Sequence, residues 1–70
     1  MKLTIEIEPE DDGRWLAEVM ELPGVMVYAA TQQQAVARAQ ALALHVLAER
    51  LESGEMSPEN SIAFELGGAA

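Results

Sequence analysis

From Lys2 to Glu8 the chain alternates polar and apolar residues without a break. Leu3, Ile5 and Ile7 therefore share one face of a predicted strand, with Thr4, Glu6 and Glu8 on the other. Pro9 to Gly13 is a turn cluster, in which Asp12-Gly13 is a favoured hairpin pair. A second strand is predicted from Arg14 to Met20, with Trp15, Ala17 and Val19 on one face and Arg14, Leu16, Glu18 and Met20 opposite. Leu22-Pro23-Gly24 ends it sharply, because Pro presets one turn dihedral and Gly supplies a positive one. A third strand, Val25 to Ala29, follows with Val25 and Val27 on one face and Met26 and Tyr28 on the other.

The pattern then changes period. Thr31 is suited to cap a helix, with Gln34 in the capping-box position three residues on. The Ala- and Leu-rich run that follows predicts a helix from about Thr31 to Ser53. Its apolar stripe is Val36, Ala39, Ala43, Val46 and Leu47, opposed by Gln34, Arg38, His45, Glu49 and Glu52. Gly54 and Pro58 mark its end. Alternation returns in Ser61 to Leu66, which groups Ile62, Phe64 and Leu66, and Gly67 to Ala70 is expected to be a frayed tail.

These elements predict an α+β domain of two layers over residues 1–66. An antiparallel three-stranded meander precedes one helix and a fourth strand parallel to the first, in the order 3-2-1-4 with a right-handed crossover. The expected core is Leu3, Ile5, Ile7, Trp15, Ala17, Val19, Val25, Val27, Val36, Ala39, Ala43, Val46, Leu47, Ile62 and Phe64. The opposite sheet face then carries Leu16, Met20, Met26 and Tyr28 among its charges, more apolar surface than a solvated face requires.

Size and charge sharpen this picture. A chain of 70 residues without cysteine has no disulfide or thiolate metal site to support its small core, so self-association is expected. Four basic against twelve acidic residues give a formal charge of −8. Phosphate neutralisation by Lys and Arg dominates nucleic-acid binding, so neither RNA nor DNA affinity is expected. A basic protein is the complementary partner. The opening residues do not read as a signal peptide, and no run is long enough to span a membrane, which points to the cytoplasm.

Catalytic patterns are sparse. His45 stands beside Glu49 and Glu52 on a polar helix face, a weak metal pattern that reads as a solvated histidine. The run Glu8 to Asp12 lacks the ligand spacing of a calcium loop and is interrupted by Pro9. Glu6 and Glu65 come near each other if the fourth strand pairs with the first, yet Gln32, Gln33 and Gln34 stand where the early helix would supply a third carboxylate. Edge protection is the simpler role for both. No cofactor, metal or enzymatic activity is expected. The apolar second face is the feature with functional meaning, since Met suits adaptable binding surfaces and Tyr is a common interface anchor. It serves a partner, a second copy, or both.

The opening strand, the acidic turn ending in Gly13, Trp15-Leu16-Ala17-Glu18-Val19, Leu22-Pro23-Gly24-Val25 and the Thr31-capped helix occur in the order found in HicB-type antitoxins. The stretch from about Leu3 to Gly54 resembles the toxin-binding domain of that family. The resemblance implies a partial ribonuclease-H-like fold without catalytic carboxylates. It also implies a partner, a small basic mRNA-cleaving toxin of the HicA type. Leu16, Met20, Met26 and Tyr28 would form the anchor patch for that toxin, with Glu18 and Glu21 at its rim. Ala29-Ala30 and Gln33-Gln34 depart from the familiar Gly and acidic residues around the helix start, and no DNA-binding module is seen. The alternative is a stand-alone oligomeric binding or structural protein.

Overall fold

In the computed structural model, which describes residues 1–67, four strands and one helix follow in the predicted order. They are β1 (Lys2–Pro9), β2 (Trp15–Val19), β3 (Met26–Ala29), α1 (Gln32–Ser53) and β4 (Ala63–Gly67). The sheet order is β3-β2-β1-β4, antiparallel except for the β1–β4 pair. Ile5 lies opposite Val19 on one side and Leu66 on the other.

The turns are built by the residues that announced them. Gly13 N–H donates to the Glu10 carbonyl to close the first. In the second, Val25 N–H reaches the Leu22 carbonyl and Gly24 takes φ +88°, a left-handed conformation that Gly adopts without a Cβ penalty. That turn draws Leu22 inward to full burial. Thr31 Oγ1 accepts from Gln34 N–H at 3.1 Å, so the helix begins on its expected cap, and Gly54 ends it.

The helix seats itself on alanine. Ala35, Ala39, Ala43 and Leu47 are its buried residues, each four positions from the next. Ala39, Ala43 and Leu47 belong to the predicted stripe, Ala35 extends it toward the helix start, and Val36 and Val46 are half-buried. Small side chains bring the helix backbone close to β2 and β3, so the contact line falls where volume is least. Leu3, Ile5, Ile7, Ala17, Val19 and Val25 complete the core from the sheet, joined by Leu22 and Ala29, which the pattern alone did not select. Trp15, Val27 and Phe64 pack against it while half-buried.

Two expectations are corrected. Ile62 is not core: it is 36% exposed, because α1 lies over β2 and β3, reaches only the near side of β1, and leaves β4 largely uncovered. Gly67 does not begin a frayed tail. It closes β4 opposite Glu6, where a Cβ would come within 2.8 Å of the Thr4 side chain. Residues 68–70 of the expected tail lie outside the described residues.

Candidate interaction surface

Among the described residues, nothing covers the face of the sheet opposite the helix. Strand alternation places Glu8, Leu16 and Tyr28 in one row across β1, β2 and β3, and Glu6, Glu18 and Met26 in the next. Leu16 is half-buried between its neighbours, Tyr28 is 39% exposed and Met26 is 46% exposed. The structure thus brings Leu16, Glu18, Met26 and Tyr28 together as expected. Met20 lies just past the end of β2, exposed, with its N–H on the Thr4 carbonyl.

Tyr28 is held from two sides. The Arg14 guanidinium sits 4.4 Å from its ring centroid, an arrangement in which the ring face attracts the cation. Arg14 is itself fixed by Asp12, whose carboxylate accepts from Nε at 2.7 Å and from the backbone N–H at 3.1 Å. These bonds hold the Asp12 carboxyl below the usual carboxylate range. On the outer edge of β3, Arg38 donates to the Tyr28 carbonyl at 3.1 Å. A preset aromatic loses little freedom on binding.

Glu6 and Glu18 stand directly opposite one another, with Glu8 one row away. Like charges so placed destabilise an antiparallel pair. Among the described residues no cation lies within ion-pair distance of these three carboxylates. The face therefore presents an apolar strip bordered by uncompensated negative charge.

Glu21 has a different position from the rim role expected of it. Thr4 N–H donates to its Oε1 at 2.7 Å, and the Thr4 hydroxyl donates to Oε2 at 2.8 Å. The carboxylate ties the loop after β2 to β1, and these bonds to its ionised form lower its pKa below the ordinary glutamate value. A depressed folded-state pKa stabilises the fold above the unfolded-state value, and that contribution is lost as pH falls through the folded one. Urea titrations from pH 7 to pH 3 are expected to show Glu21→Gln less stable than the parent at pH 7. The gap should close toward pH 3, and a gap independent of pH would remove the carboxylate from this role.

Glu65 lies opposite Thr4 and forms an ion pair with Lys2 at 2.9 Å. Among the described residues, no three His, Cys, Asp or Glu side chains converge as a metal site. His45 is exposed on the helix. No helix of the described residues is long and apolar enough to cross a membrane. No family model, curated protein or solved structure matches the chain.

Proposed function

We propose that the open sheet face binds a small basic protein, and that the chain acts in the cytoplasm as a non-enzymatic antitoxin of the HicB kind toward a HicA-type mRNA-cleaving toxin. The observation that carries this reading is the strip of Tyr28, Leu16 and Met26 bordered by Glu6, Glu8 and Glu18, which pair with no cation among the described residues. Lys and Arg of a toxin's RNA-binding surface would supply the missing countercharge while Tyr28 fills an apolar pocket between them. Neutralisation then needs no chemistry, because covering the basic surface excludes the RNA. The alternative is a stand-alone oligomeric protein, and the two roles are compatible.

The test is binding to, and inhibition of, a small basic ribonuclease encoded beside this chain. Tyr28→Ala should cost about 2 kcal/mol, a roughly 30-fold faster dissociation. Glu18→Gln should slow association at low salt and change little at high salt. Both variants must first match the parent in circular dichroism and sedimentation. Unchanged rates in both would remove the face from the interface, and absence of any inhibited ribonuclease would leave the oligomeric reading.

A further inference from the structure

The helix carries a second apolar stripe that its own sheet does not use. Ala37, Ala41, Leu44, Ala48 and Leu51 recur at spacings of four and three, and all five are exposed. At 3.6 residues per turn this stripe lies about 140° around the helix from Ala35, Ala39, Ala43 and Leu47. Such spacing is the seam of a two-helix coiled pair, with small residues permitting close approach. Leu44 is 47% exposed, well outside the monomer core.

The stripe continues into a groove. Val36, Ala37 and Gln40 form one wall and Leu66 of β4 the other, with Gln32 and Gln33 at its end. Leu66 is 61% exposed, Phe64 shares its side of β4, and Ile62 just before the strand is 36% exposed. Adjacent strands lie about 4.8 Å apart, so β4 is about 9.6 Å from β2, over which α1 sits. Packed helices are separated by about 8–10 Å. A second helix beside α1 therefore falls over β4.

We infer that this surface is the site of a second copy of the chain, whose α1 packs parallel to the first along the Leu44–Leu51 stripe and covers β4. Charge favours this occupant. The stripe, the groove and the helix-facing residues of β4 contain no ionisable side chain, in a chain of net charge −8. Like-charged copies repel least where neither presents charge, whereas a basic partner finds nothing to pair with there. A two-fold axis along the helices places both in one layer between two sheets. Each α1 then rests on its own β2 and β3 through the alanine stripe and on the other copy's β4 through the outer stripe. The contact is isologous and closed, as two-fold dimers require. It leaves both acidic faces outward, so dimer formation is independent of any basic partner.

Sedimentation equilibrium of the full chain at tens of micromolar is expected to give twice the 7.6 kDa chain mass. Leu44→Glu should give the chain mass with unchanged circular dichroism, while Met26→Glu, on the open sheet face, should remain dimeric. Because the chain lacks cysteine, Leu51→Cys offers a second reading. In a parallel pair the two positions meet and cross-link under mild oxidation. In an antiparallel pair centred on Leu44 they stand roughly 20 Å apart along the axis and do not. A monomeric parent overturns the inference, as does a dimer dissociated by Met26→Glu but not by Leu44→Glu. So does a dimer in which Leu51→Cys fails to cross-link.

Discussion

Ile5→Ala is expected to leave most of the chain unfolded at 25 °C. Ile5 has 0% exposure and sits on β1, the strand hydrogen-bonded to both β2 and β4. Its side chain thus joins the meander to the strand that returns from the helix. Truncating a buried Ile to Ala costs roughly 2–5 kcal/mol. A core in a chain below about 80 residues rarely supplies more than about 3–5 kcal/mol. The two magnitudes are comparable, so the folded population collapses rather than shifts. Ile5→Val removes one methyl group and should cost about 0.5–1.5 kcal/mol while keeping a cooperative transition. Urea titration by circular dichroism at one fixed protein concentration checks both, because association adds to apparent stability. If Ile5→Ala unfolds within about 1 kcal/mol of the parent, the core is not organised around β1.

The strand order was legible because three independent signals agreed on it. Unbroken alternation marked β1, short turns forced β1 to β3 into a meander, and the helix between β3 and β4 required a crossover. Alternation, however, reports which residues share a face and not whether that face is covered. Phe64 and Leu66 share a face of β4 as grouped, while Ile62 precedes the strand, and of the three only Phe64 reaches the core, since one helix cannot span four strands. On the helix, Ala39, Ala43 and Leu47 were legible as its inner face, whereas Ala35 was not, because its small side chain carries little hydropathy signal. Leu22 was hidden for another reason: beside Pro23 and Gly24 it reads as part of a turn, and only the turn's inward fold buries it.

Of the interaction surface, alternation gave the grouping of Leu16, Glu18, Met26 and Tyr28, because it depends on strand period alone. It could not give what fixes them. Arg14 meets the Tyr28 ring across a strand pair, and Glu21 finds Thr4 seventeen positions away. Both depend on register, which one residue of slip would reverse. The outer helical stripe was available in the sequence as a four-three spacing. It acquires meaning only once the inner stripe is known to be satisfied by the sheet.

Ala39→Leu is expected to have the second largest effect, for the reason opposite to Ile5→Ala. Ala39 has 0% exposure, and the helix meets β2 and β3 along the line it shares with Ala35 and Ala43. Added methylenes in a close-packed interior make the helix lift or the sheet yield, at typically about 1–3 kcal/mol. Leu and Ala are both good helix formers, so the change reports packing rather than helix propensity. Glu49→Leu introduces the same side chain on the exposed polar flank and should stay within about 0.5 kcal/mol of the parent. Thermal and urea unfolding of the two variants separates the cases. Equal stability would mean that alanine does not set the helix-to-sheet distance. A loss confined to Ala39→Leu would mean that it does.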